Sequence, residues 1–171
     1  MKLSSDFYAQ DVLVAAPALL GKLLCHKLAD GTILRGRICE TEAYRGSDDT
    51  ACHASRGKTP RNAVMFAPGG LSYVYLCYGM HNLLNVVTGE EDHPQAVLVR
   101  GIEGAVGPGR ATKKLQITCD HNALDLRSSG TLWLEDDGFV PVKIRLGKRV
   151  GIGYASEEDQ EKLWRWYYTS P

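Results

Sequence analysis

The sequence predicts an α+β fold, a single domain over residues 1–171 built on a curved, mostly antiparallel, open-barrel-like β-sheet flanked by short helices. Three observations predict it. A length of 171 residues with 44% hydrophobic and 23% charged content suits one domain that buries its own core, and no repeat or low-complexity linker divides the chain. Asp30-Gly31, between two segments of strand character, is a strong two-residue hairpin signal. Three strand candidates then follow one another after Pro68-Gly69-Gly70.

Taken in order, Asp11 can cap a short helix that runs to about Leu20 and stops at Gly21. Lys22 to Ala29 and Thr32 to Thr41 form the arms of the hairpin. Thr59-Pro60 reads as a cap followed by proline in the first turn, giving a short helix to about Met65. Ser72 to Cys77, Leu83 to Thr88 and Ala96 to Ile102 are the three strands. A helix near Arg110 to Leu115 follows, then strands around Thr131 to Leu134 and Val140 to Leu146.

Charge and cysteine content narrow the function classes. Twenty basic and twenty acidic residues cancel, so a DNA ligand would need a local positive face rather than a net excess. Basic residues do cluster, at Arg56, Lys58 and Arg61, at Arg110, Lys113 and Lys114, and at Lys143, Arg145, Lys148 and Arg149. Five widely spaced cysteines without a Cys-x-x-Cys pair indicate neither a disulfide framework nor a zinc ribbon, and most are expected to be buried thiols. Cys25-His26 and Cys52-His53 lack the spacing of structural zinc ligands, so no metal is expected. The apolar runs are too short to cross a bilayer, and the expected setting is intracellular, with no membrane contact.

Two stretches carry chemistry. In Ile38-Cys39-Glu40-Thr41-Glu42-Ala43-Tyr44, strand alternation places Ile38, Glu40, Glu42 and Tyr44 on one face. Carboxylates two residues apart are roughly 7 Å from each other, and in a dry pocket one raises the other's proton affinity, which suits a general acid or base. The same pattern also fits two surface glutamates at a strand end. Leu71 to Asn82 concentrates Tyr73, Tyr75 and Tyr78, the last beside Gly79 at a turn. Such tyrosines can stack on bases or wedge into a groove, or simply pack a half-buried strand. Gly107-Pro108-Gly109 before Arg110 is a loop leading into a solvated helix or a backbone cradle for phosphate, and it lacks the ending of an ATP-binding loop.

In this order the motifs resemble the alkyladenine (3-methyladenine) DNA glycosylase family over nearly the whole chain. The resemblance is carried by Leu19-Leu20-Gly21-Lys22, Glu40-Thr41-Glu42-Ala43-Tyr44, His53, Thr59-Pro60-Arg61-Asn62, Met65-Phe66, and Tyr73-Val74-Tyr75 with Tyr78-Gly79-Met80. It continues through Asn85, Val97-Leu98-Val99-Arg100, Gly107-Pro108-Gly109, Asp125-Leu126 and Arg149-Val150-Gly151-Ile152-Gly153. It implies a mixed α/β domain that works as a monomer, without metal or cofactor, on double-stranded DNA containing alkylated or deaminated purines.

Position by position, the resemblance makes Glu42 the base that deprotonates water, with Arg100 and the Val150 carbonyl helping to hold that water. The flipped purine would stack between Tyr44 and the pair His53 and Tyr75, with Asn85 where guanine's amino group would have to fit. Tyr78 would fill the vacated space in the minor groove, and Arg61, Arg110 and Tyr73 would contact DNA or the pocket rim. No lysine nucleophile is implied, so the strand would be left uncut at an abasic site. Other classes would use the same residues differently: a metal-dependent nuclease with Glu40 and Glu42 on magnesium, a non-catalytic module whose tyrosines only stack, or a carbohydrate glycosidase. Three features depart from the family: the neutral overall charge with Glu90, Glu91 and Asp92 after the pocket strand, Cys52 before His53, and a tail stopping at Ser170-Pro171.

Overall fold

In the computed structural model, which describes residues 1–169, nine strands form one sheet in which every pairing is antiparallel. The strands are β1 (Leu23–Lys27), β2 (Ile33–Arg45), β3 (Ser72–Cys77), β4 (His81–Thr88), β5 (Gln95–Ile102), β6 (Ala105–Val106), β7 (Leu132–Glu135), β8 (Arg145–Gly147) and β9 (Arg165–Tyr167). The main path runs β3-β4-β5-β2-β1-β7, and β9 joins β2 while pairing with β8. The sheet curves as a half-barrel. Four short helices flank it: α1 (Ser5–Tyr8), α2 (Val12–Ala18), α3 (Pro108–Lys114) and α4 (Glu157–Glu161).

Asp11 caps α2 as its sequence position predicts, its carboxylate accepting from the Leu13 N–H at 2.9 Å. The β1–β2 hairpin forms, but its turn is one residue longer than the two-residue reading. The Gly31 N–H bonds the Leu28 carbonyl and Gly31 sits at φ 87°, the three-residue arrangement with glycine in the left-handed position. The helix expected over Thr59 to Met65 is a turn followed by a 3-10 helix at Ala63–Phe66. The Asn62 and Thr59 side chains each accept from the other's backbone N–H and hold the chain out of helix there. The expected strand Val140 to Leu146 shrinks to β8, with residues 139–144 irregular and largely exposed. The sequence reading missed α1, α4, β6 and β9, each of five residues or fewer, too short for a periodic signal. The tail ending at Ser170-Pro171 lies outside the described residues.

Strand β2 is where the fold makes the site. Its first half pairs with β1, and its second half lies between β5 and β9. Register shifts occur between Ile38 and Glu40 and between Glu40 and Thr41, leaving Cys39 and Arg100 outside the β2–β5 pairing. Such bulges re-aim side chains. Strict alternation puts Ile38 with the carboxylates; instead Ile38 and Cys39 both enter the main core, together with Ala43. Thr41 turns the same way, its hydroxyl donating to the Ala16 carbonyl of α2 at 2.9 Å.

The two faces of the sheet bury different things. Val74, Leu84, Val86, Val97 and Val99 pack with α2 and the underside of α3 in the main core. The opposite face carries a second cluster of Cys52, Ala54, Met65, Tyr73, Val87 and Ala96. On that face Tyr73, Asn85, Leu98 and Glu42 stand opposite one another in a single row across β3, β4, β5 and β2. Residues separated by dozens of positions in sequence thus line one concave surface.

Candidate active site

Glu42 is fully buried. One oxygen accepts from the Val150 N–H at 2.8 Å and lies 3.5 Å from the Arg100 Nε, while the other accepts from the Tyr44 hydroxyl at 2.9 Å. Burial pushes its proton affinity above the ordinary glutamate range, outweighing the opposing pull of Arg100, the Val150 N–H and the Tyr44 hydroxyl. Burial next to that carboxylate also raises the Tyr44 phenol well above its usual range, so it remains a donor.

Glu40 plays a different part. Its Oε1 meets the Arg100 Nε at 3.2 Å and an Arg165 Nη at 3.0 Å. Both carboxylates are therefore engaged by guanidinium groups, a set of neighbours unsuited to a divalent cation. Among the described residues no group of three or more His, Cys, Asp or Glu side chains stands together as a metal cage.

Beside the carboxylate, Tyr44, His53, Met65, Tyr73, Tyr75, Asn85, Ala96 and Tyr154 enclose a narrow pocket of about 30 Å³. It opens into a groove of about 690 Å³ that shares Tyr44, His53, Tyr75 and Tyr154 with it and extends past Arg100, Val150 and Arg110 to Tyr78. His53 packs edge-on to Tyr75 at 4.7 Å between ring centres, and its Nδ1 lies 3.0 Å from the Tyr73 hydroxyl. Burial, with Arg61 nearby, lowers the proton affinity of His53 and favours the neutral ring. Asn85 is buried and anchors its amide nitrogen on the Tyr73 carbonyl at 3.1 Å.

The predicted residues thus largely converge, with changes of place. Tyr73, expected at a DNA-facing rim, is only 2% exposed and forms the inner wall behind His53. Val150 meets Glu42 through its N–H. Arg61 lies over the Tyr75 ring at 5.3 Å, and Arg110 is an exposed residue of the groove wall in α3. Tyr78 is 92% exposed at the tip of the β3–β4 hairpin with φ 51°, followed by Gly79 at φ 67° and closed by a Met80 N–H bond to the Cys77 carbonyl. Both central residues of that turn are left-handed, the geometry of a type I′ turn.

Arg149, counted by sequence among surface cations, is buried. Its guanidinium clasps Asp49 at 2.7 and 2.9 Å, donates to the Ala43 and Asp159 carbonyls, and lies 5.1 Å from the Tyr44 ring centre. It forms a pillar under the aromatic wall and sets Val150 against Glu42. Sequence reasoning also missed Tyr154, whose hydroxyl bonds the Ala51 carbonyl at 2.8 Å, and Arg165. Arg165 had one signal, a single cation inside the aromatic run Trp164-Arg165-Trp166-Tyr167.

A concave antiparallel sheet thus carries a buried, arginine-paired carboxylate below an aromatic groove, the features of a candidate enzyme site. The model of the methylpurine-DNA glycosylase family matches residues 6–106 and 103–171. A protein of Borrelia garinii subsp. bavariensis, named as a 3-methyladenine DNA glycosylase, is 44% identical over 94% of this chain and 92% of its own length. Relatives with the same name in Methanocella arvoryzae and Anaeromyxobacter dehalogenans are 43% and 48% identical, covering 96% and 91% of this chain and 91% and 78% of their own lengths. The chain belongs to the methylpurine-DNA glycosylase family, and with it to the DNA-repair glycosylases.

Proposed function

We propose that this protein, acting as a monomer of one domain, flips alkylated or deaminated purines out of duplex DNA and hydrolyses their N-glycosidic bond, leaving an abasic site. The observation that carries the reading is Glu42: a fully buried carboxylate with raised proton affinity, fixed by Val150, Tyr44 and Arg100 beside a groove walled by aromatic rings. Extruding a base costs a few kcal/mol, least where it is damaged or mispaired. Stacking of the base between Tyr44 and His53 with Tyr75 offsets part of that cost, at roughly 1 to 3 kcal/mol per stacked base. A purine nucleotide alkylated at a ring nitrogen, as in 3-methyladenine, is cationic, so it favours electron-rich rings and its bond to the sugar is already weak. As the C1′–N bond breaks, its electron pair leaves with the base and positive charge develops on the sugar. Ionised Glu42 stabilises that charge and takes a proton from the water whose oxygen bonds to C1′. Arg100 and the Val150 carbonyl complete the water's hydrogen bonds. The work is intracellular and needs neither metal nor cofactor.

Glu42→Gln tests the reading, because it keeps shape and removes the charge. Single-turnover release of 3-methyladenine or hypoxanthine from a duplex should fall roughly 100- to 10,000-fold while DNA binding persists. The parent enzyme should lose activity as pH falls through a midpoint above the ordinary glutamate range, because the base acts only when ionised and its proton affinity is raised. Near-parental release by Glu42→Gln would refute the assignment.

A further inference from the structure

Two carboxylates share one arginine in the site, and only one of them faces the proposed chemistry. The Arg100 Nε lies 3.2 Å from the Glu40 Oε1 and 3.5 Å from the Glu42 Oε1. Left alone with these two, a single cation would be drawn to the carboxylate with the shorter contact. A second cation alters that division. Arg165, at the start of β9, places an Nη 3.0 Å from the same Glu40 oxygen and is held there by its Nε, which donates to the Lys148 carbonyl at 2.7 Å. The β2–β9 register sets Arg165 directly opposite Glu42, so β9 delivers a cation to the neighbouring carboxylate without touching the base itself.

We infer that Glu40 and Arg165 are positioning residues: Arg165 neutralises Glu40, and this releases Arg100 to hold Glu42 in its ionised, reactive form. The inference rests on Glu42 being the base. Bulge geometry makes the sharing possible, because Arg100 lies outside the β2–β5 pairing beside the Glu40–Thr41 step and can reach both acids. The groups that bear on Glu42 come from four directions: Glu40 and Tyr44 on its own strand, Arg100 on β5, Arg165 on β9, and Val150 with Tyr154 in the segment after β8. Of these, Arg100 and Glu40 pull its proton affinity in opposite directions, down and up. Arg165 acts on the balance between them.

The sign of each substitution follows. Arg165→Gln leaves Glu40 to claim Arg100, so Glu42 loses its counter-ion and faces an unneutralised neighbour. Both effects move the acid limb of the single-turnover rate towards higher pH, by about one unit for a charge partner at this range. Glu40→Gln removes the competitor and moves the limb towards lower pH. A residue needed only for folding would not give shifts of opposite sign at unchanged plateau.

The experiment is the pH dependence of single-turnover hypoxanthine release for the parent, Arg165→Gln, Arg165→Lys, Glu40→Gln and the double variant Glu40→Gln/Arg165→Gln, each shown to be folded by its thermal transition. Expected are opposite limb shifts for the two Gln variants, recovery of most of the parental limb in Arg165→Lys, and no further effect of Arg165→Gln once Glu40 is gone. Limbs that coincide, shifts of the same sign, or an Arg165 effect that persists in the Glu40→Gln background would overturn the inference. Glu42→Gln run alongside separates the two readings: if it is inactive while the limbs coincide, only the positioning roles fall, whereas activity in Glu42→Gln removes the base assignment first.

Discussion

At the residue scale, Tyr78 pays for its place. A tyrosine in the left-handed region costs on the order of 1 to 3 kcal/mol relative to an unstrained residue, and its side chain, 92% exposed, recovers nothing from the core. Tyr78→Gly should therefore stabilise the fold by roughly 1 kcal/mol in urea unfolding while slowing excision from a fully paired duplex more than from a bulged target. Equal slowing on both substrates would remove the wedge role and leave Tyr78 as a general contact to DNA. Asn85 makes a second test. Its amide is fixed on the Tyr73 carbonyl at the pocket wall, where a shorter side chain leaves room for the exocyclic amino group that distinguishes guanine. Asn85→Ser should raise the ratio of guanine to hypoxanthine release under single-turnover conditions; an unchanged ratio in a folded variant would leave Asn85 as a satisfied strand residue. The shared face of Glu40, Glu42 and Tyr44 and the turn at Tyr78 were legible from strand alternation and from a tyrosine beside a turn glycine, whereas the choice of Glu42 over Glu40 came only with the family resemblance. Arg149 was not, because nothing in a local window separates a buried cation clasping Asp49 from its exposed neighbours Lys148 and Arg145.

At the scale of elements, caps and strands were legible and irregularities were not. Ser72 to Cys77 was read at its observed bounds, and Asp11 was read as a cap from its place before an apolar run. The carboxylate of Asp11 also pairs with Arg45 at the end of β2, at 2.8 Å, so one side chain ties α2 to the strand that bears the site. Asp11→Ala should cost about 0.5 to 2 kcal/mol of stability, measured by denaturant midpoint, and leave single-turnover release nearly unchanged well below the melting temperature. A large catalytic loss without destabilisation would contradict this division. The bulge in β2 escaped sequence reading because an unpaired residue is defined by its partner strand, and period-two alternation assumes that none occurs. Ile38 was misassigned for that reason. The row Tyr73, Asn85, Leu98 and Glu42 was likewise invisible, since it depends on three registers at once.

At the scale of the whole molecule, zero net charge implies that binding to DNA relies on where the cations stand. Arg61 and Arg110 line the groove, with Arg56, Lys58 and Lys113 exposed in the adjoining segments. Arg110→Ala should weaken duplex binding similarly for damaged and undamaged DNA and lower the slope of log affinity against log salt by about one. A loss confined to damaged DNA would place Arg110 in the base pocket instead. The pillar under Tyr44 has a further consequence, one of timing. Strands β1 to β5 bring the base and most of its aromatic walls, yet Arg149, Val150, Tyr154 and Arg165 come from the last part of the chain. A nascent polypeptide emerging from the ribosome therefore carries Glu42 long before it carries the groups that hold it. Until those residues arrive, the Val150 N–H bond to Glu42, the Arg149 pillar under Tyr44 and the Arg165 pairing with Glu40 are missing from the site. The arrangement around Glu42 is therefore complete only once residues 149–165 have been made, and a chain interrupted before them is expected to show no base release in a single-turnover assay.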